Sequence, residues 1–184
     1  MGAKRTAKKA AAKKATAKKA PSPRPRPDHP ALSPDEMAAR IAATGLVPTA
    51  YLLPWESIHG PGDYAAVARA FRDLAGDDLP LETVSDTVDP SKKRAAIELS
   101  LDGVHHVIEA EVRGSRVDEG VLVMLAGLLD LRQEKRPGAT RRRIFVDPSS
   151  CRAAKTYAFL CATAEATAAV NAATGAAFVA ASEL

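Results

Sequence analysis

Acidic side chains are missing from the first 27 residues of this 184-residue chain, a stretch that holds ten Lys and Arg. Aromatic residues make up only 4% of the chain. A core built from Ala, Leu, Val and Ile follows, with close backbone contacts rather than a large ring-lined cavity. There are two cysteines, Cys151 and Cys161, too few for a disulfide framework. They read as reduced, half-buried thiols of a cytoplasmic protein. The N-terminus lacks the apolar stretch of a secretory signal. The apolar run from Val121 to Leu129 is too short to span a bilayer. The charge-free stretch from Ala166 to Ser182 is rich in Ala and Thr, holds Asn171 and Gly175, and is too weakly apolar to be one. No membrane partner is expected. No Walker A loop, dinucleotide fingerprint or zinc-ligand spacing occurs, so no cofactor and no metal is expected either.

What is present divides sharply by charge. Outside the ten basic residues of the start, the chain holds 16 basic against 22 acidic side chains. The pI of about 9.2 therefore describes a tail, and the body is acidic. Within the tail, basic pairs recur every five residues at Lys8-Lys9, Lys13-Lys14 and Lys18-Lys19, with Ala between them. Without large apolar side chains, residues 1–32 cannot offset the entropy of ordering and predict a disordered cationic tail. If induced to helix, a period of five turns each pair about 140° from the last. The charges then circle the helix and leave no apolar face, which favours a polyanion over a membrane surface.

The run AKKAAAKKATAKKA, from Ala7 to Ala20, resembles the Lys/Ala-rich tails of linker histones and of bacterial histone-like proteins. The resemblance covers under a tenth of the chain and is compositional. It implies sequence-independent contact with DNA or RNA phosphates, through Lys8, Lys9, Lys13, Lys14, Lys18 and Lys19, with Arg24 and Arg26 following. The segment from Pro21 to Pro27 reads as extended, polyproline-like chain. Its Arg-Pro-Arg-Pro lacks the glycine of an AT-hook core, so minor-groove reading is not expected. The alternative account of the tail is a solubilising low-complexity extension.

In the body, Ser33-Pro34-Asp35-Glu36 is a helix start, with a Ser cap, Pro in the first turn and acids at the positive end. Residues 33–62 read as an arm: this helix, then a loop holding Pro48, Pro54 and Pro61. Residues 63–175 read as an α+β domain and 176–184 as a C-terminal tail. Tyr64, Val67, Phe71 and Leu74 share one helix face from about Asp63 to Ala75. A strand follows near Leu81–Val88. Ile97, Leu99 and Leu101 then alternate with polar residues up to Asp102-Gly103, a two-residue hairpin turn. That turn pairs Leu101 with Val104, Leu99 with His106, Ile97 with Ile108 and Arg94 with Glu111. A helix over about Asp118–Gln133 is apolar almost all round and reads as buried. Strands at Arg142–Val146 and Lys155–Cys161 follow, then a helix capped by Thr163 and stopped by Gly175. The order α-α-β-β-β-α-β-β-α suggests a small antiparallel sheet of about five strands with helices packed on one face.

Few residues carry chemistry in a recognisable pattern. His105 and His106 are adjacent on a strand and point to opposite faces, so they cannot share a metal. His106 reads as a hydrogen-bonded core histidine. Glu98 and Glu109 are diagonal neighbours, about 7–8 Å apart, on the exposed face. They suit an acid/base pair or a cation, though a solvated charged face is the simpler account. Ser57, His59 and Asp63 share a loop, but triads are assembled by folding and no nucleophile elbow is present. Gly60-Pro61-Gly62 before a helix suits an anion, against the repulsion of Asp63. Arg132, Lys135, Arg136, Arg141, Arg142 and Arg143 form the one basic cluster of the body. Arg141, Arg142 and Arg143 are its candidates for nucleic acid, while the plainer account has them balancing nearby acids.

Three functions remain open. One is a non-enzymatic interaction module of adaptor or immunity type, with a protein partner on a sheet face or edge and nucleic acid on the tail. Another is a histone-like DNA-associated protein using tail and arginine cluster. The third is a small enzyme or cation binder on the Glu98/Glu109 face. The expected setting is cytoplasmic, near the nucleoid if the tail acts on DNA.

Overall fold

The computed structural model describes residues 32–134, 136–149 and 154–184. The expectations for the tail, for Lys135 and for Cys151 lie outside the described residues. Ser33 starts α1 (Pro34–Ala43) through a capping box. Its Oγ accepts the Glu36 N–H at 3.2 Å, and the Glu36 carboxylate accepts the Ser33 N–H at 2.9 Å. A short strand β1 (Tyr51–Pro54) and helix α2 (Asp63–Ala75) come next. Strands β2 (Leu81–Asp89), β3 (Arg94–Leu101) and β4 (Val104–Glu111) lead to α3 (Glu119–Gln133). Strands β5 (Arg142–Asp147) and β6 (Thr156–Thr163) precede α4 (Ala164–Thr174) and a two-residue strand β7 (Val179–Ala180).

The protein is α+β and all its strand pairs are antiparallel. The strands divide between two sheets, where the sequence pattern suggests one. The first is four-stranded in the order β1-β6-β5-β7, the second three-stranded in the order β2-β3-β4. The segments read as an arm and a tail supply β1 and β7, and so complete the first sheet.

Layering follows from which face each residue buries. Tyr157, Phe159 and Cys161 of β6 join Ile144 and Val146 of β5 in a cluster with α2 and α3. Ala158, Leu160 and Ala162 face the other way and join Met37, Ile41 and Val170 of α1 and α4. The four-stranded sheet is therefore covered on both faces. The three-stranded sheet packs only its inner face, through Ile97, Leu99, Ile108 and Ala110, into the α2–α3 cluster. In sequence from one side, the layers run α1 and α4, four-stranded sheet, α2 and α3, three-stranded sheet. Helices lie on both faces of the first sheet, a correction to the one-sided packing expected. The cause is β6, whose even and odd residues are both apolar.

The hairpin register is the one its turn dictates, from Leu101 opposite Val104 to Arg94 opposite Glu111. Asp102 and Gly103 take φ of 50° and 74°, as a type I′ turn requires. Two expectations need adjusting. Helix α3 is not buried all round, since Met124 and Leu131 are exposed. His106 is only half-buried, because the inner face opens toward the hairpin tip. Cys161 is buried and its thiol is pushed up to about 11 by that burial, so it is inert.

Candidate functional site

Among the described residues, no helix or strand covers the outer face of the three-stranded sheet. Cross-strand rows on it run Ser85–Glu98–Val107, Thr87–Ala96–Glu109 and Asp89–Arg94–Glu111. The face is exposed because alternation sends the apolar half of each strand inward. A cleft of about 770 Å³ opens at its far end. Lys92, Lys93 and Arg94 line it on one side, with Asp89, Glu109 and Glu111 among them.

The cleft's carboxylates are largely engaged. Asp89 Oδ1 accepts the backbone N–H groups of Ser91 and Lys92, each at 3.1 Å, and the Ser91 hydroxyl at 2.5 Å. These bonds, the Ser91 side chain foremost, pull its carboxyl down to about 2. Glu111 is paired with Arg113 at 2.6 Å, which holds its carboxyl below the ordinary range. The structure places Glu98 and Glu109 as diagonal neighbours, as the register predicts. Among the described residues, no group of three or more His, Cys, Asp and Glu side chains is placed to hold a metal ion. This is a surface of alternating charge on which Asp89 and Glu111 are already engaged.

The anion seat at the start of α2 is filled by the chain itself. Asp86 of β2 accepts the N–H of Gly62 through Oδ1 and that of Ala65 through Oδ2, the latter at 2.9 Å. Gly62 adopts φ of 99°, which presents its N–H to this carboxylate. Asp63 turns back to accept the N–H groups of His59 and Gly60, at 2.7 and 2.9 Å. No nucleophile–base pair forms from Ser57, His59 and Asp63, since Asp63 meets His59 only at the backbone.

The arginine cluster is separated by its partners. Arg142 donates to Asp78 at 2.8 Å and to the Cys161 carbonyl at 3.2 Å. Arg143 makes a two-pronged contact with Asp130, at 3.0 and 2.7 Å, and reaches Glu183. Arg141 donates to the carbonyls of Arg136 and Glu134 just past the end of α3. Arg136 also reaches Asp78, and Arg132 holds Asp102 of the hairpin turn. Three consecutive arginines thus face three separate sets of internal acceptors. The organising acids Asp78, Asp86 and Asp130 carry no local sequence signal. Only their place in the fold makes them partners.

No family model matches the chain, and no curated protein or solved structure matches it. Among the described residues, no helix is long and apolar enough to cross a membrane.

Proposed function

We propose that the folded part is a non-enzymatic interaction module that docks a protein partner on the outer face of the three-stranded sheet. The Lys/Ala tail contacts nucleic-acid phosphates and keeps the assembly near them. The observation that carries this reading is the uncovered face itself. It is a sheet surface of eight- and nine-residue strands with a charged cleft, in a molecule whose other sheet is covered on both sides. The internal pairing of Arg141, Arg142 and Arg143 supports giving the phosphate contact to the tail rather than to the body.

Photo-crosslinking from Ala96 at the centre of the face, with Ala173 on α4 as control, tests the docking half. A discrete adduct from Ala96 alone is expected, and it should vanish with Glu109→Lys. Equal adducts from both positions would sink the reading. For the tail, duplex DNA binding by the full chain and by a chain starting at Ala31 is compared at two salt concentrations. Only the full chain should bind, with log K falling by about 0.9 per neutralised phosphate per log unit of salt. Equal binding by both chains would move the contact to the body and favour the histone-like reading.

A further inference from the structure

The two edges of the three-stranded sheet are treated differently by the rest of the molecule. The β2 edge is guarded. Its ladder to β3 is broken by an irregularity between Leu81 and Val84, the Arg69 guanidinium donates to the Val84 carbonyl at 2.9 Å, and Asp86 is tied to α2. A bulge and a charge on the edge carbonyls are usual means of blocking strand addition. Among the described residues, the β4 edge carries neither over most of its length. It pairs with β3 without a break, contains no proline or lysine, and ends the sheet.

The hairpin turn decides which amides are free. Across a two-residue turn the flanking residues Leu101 and Val104 exchange backbone hydrogen bonds. Val104, His106, Ile108 and Ala110 therefore turn their N–H and C=O groups toward β3. His105, Val107, Glu109 and Glu111 turn theirs outward. Two contacts agree with this parity. The Val112 N–H donates to the Lys93 carbonyl at 3.0 Å, and the outward Glu111 N–H is taken by Asp118 at 2.7 Å. Asp118 closes the edge at Glu111, so the open stretch is centred on Val107. That residue is 53% exposed and Val104 is 56% exposed.

We propose that the occupant of this edge is a second copy of the chain. Two β4 strands pair antiparallel about a two-fold axis at Val107 and join the two sheets into one. Two requirements narrow the registers, and the number of free amides that meet selects among them. Residues opposite one another must both carry outward amides and must lie on the same face. A two-fold at Val107 meets both, with Val107 opposite Val107 and His105 opposite Glu109 of the other copy, on each side of the axis. A two-fold at Ile108 also meets them but sets His105 against Glu111, whose N–H is already taken by Asp118, and one at His106 sets Glu109 against the turn residue Gly103, so each makes fewer hydrogen bonds. The chosen register makes about six inter-chain backbone hydrogen bonds. It covers an exposed apolar pair and sets an imidazole beside a carboxylate twice over. The inference rests on the reading of this sheet as an interaction surface and names one partner for it.

Sedimentation equilibrium of the full chain over about 5–500 µM is the test. The mass should rise with concentration from 19.3 kDa toward twice that value. Val107→Pro should weaken association at least tenfold while leaving the far-UV spectrum unchanged, because the N–H it removes faces the open edge. Glu109→Lys and His105→Glu should each weaken it several-fold, and the double variant should return it close to the starting affinity. The charge exchange decides the matter if Val107→Pro fails to fold. A monomer at every concentration, or a dimer indifferent to all four variants, overturns the proposal. So does a monomer in which the Val107 amide is protected from exchange, which would mean another segment occupies the edge. A monomer that still gives the Ala96 adduct removes self-pairing and leaves the docking reading intact, whereas loss of both removes both.

Discussion

β6 and β3 are strands of equal length with opposite surroundings. In β6, Thr156–Thr163, seven of eight residues are buried, because α1 and α4 cover one face and α2 and α3 the other. In β3, Arg94–Leu101, burial alternates, and only Ala95, Ile97, Leu99 and Leu101 are enclosed. The difference is already present in side-chain chemistry. The run TYAFLCAT has no charge on either face, whereas RAAIELSL places Arg94 and Glu98 on one face. A strand apolar on both faces must be a middle layer; one with an alternating pattern leaves a face for something else. The contrast is sharpest at Phe159, fully buried and within 5.0 Å of the Phe71 ring, centroid to centroid. Phe159→Ala should destabilise the protein by about 3–5 kcal/mol in chemical denaturation. A loss below about 1 kcal/mol would mean that the four-stranded sheet is not the closed centre.

Local chemistry made much of the fold legible. The caps at Ser33 and Thr163, the apolar face of α2 and the Asp102-Gly103 turn are short-range signals, and each stands where its residues place it. The hairpin register followed because a two-residue turn leaves one pairing that keeps Ile97, Leu99 and Leu101 on a single face. β1 and β7 were not legible. β1 is four residues ending in Pro54, and β7 is two residues in an Ala-rich run. Both are strands only because β6 and β5 offer edges to them. The second sheet was hidden for a related reason, since sequence order cannot tell which hairpin joins which ladder. Of the candidate site, the open face was legible through alternation. The dispersal of the arginines was not, because Asp78 lies 58 and 64 residues from the two arginines it binds.

That acid is the next test, since it ties the start of the open sheet to the closed one. Asp78 is buried between Arg136 and Arg142. Burial pushes its carboxyl up, but the Arg142 and Arg136 guanidinium groups beside it outweigh this and hold it below the ordinary value of 3.8. A depressed folded-state value means that the stabilisation is complete above the unfolded value and is lost as pH falls through the folded one. Asp78→Ala should therefore cost about 2–3 kcal/mol at neutral pH. The gap from the parent protein should narrow below about pH 4. Denaturation midpoints at pH 7 and pH 2.5 check both statements, and a gap that widens in acid would contradict the pairing.

A smaller effect is expected where the open sheet grips α2. Asp86 fills the positive end of that helix, and Asp86→Ala leaves the Gly62 and Ala65 N–H groups to water. The loss should be about 1–2 kcal/mol, in the range of a removed helix cap. Asp86→Asn should recover part of it, because an amide oxygen still accepts a hydrogen bond. Equal losses from the two variants would mean that the contact is packing and not capping.

The smallest effect is expected on the open face itself, and there smallness is the point. Glu98 is exposed, opposite Ser85 on one side and Val107 on the other. Among the described residues, its side chain takes part in no ion pair, unlike Glu111 with Arg113. Glu98→Ala should change stability by less than about 0.5 kcal/mol. A residue retained on a sheet for folding would cost more than that when truncated, and one that serves a docked partner would not. The same substitution read by crosslinking from Ala96 should reduce the adduct, because Glu98 borders that position on the face. A variant that unfolds early but still docks would reverse the assignment, making the outer face a structural surface and moving the partner elsewhere.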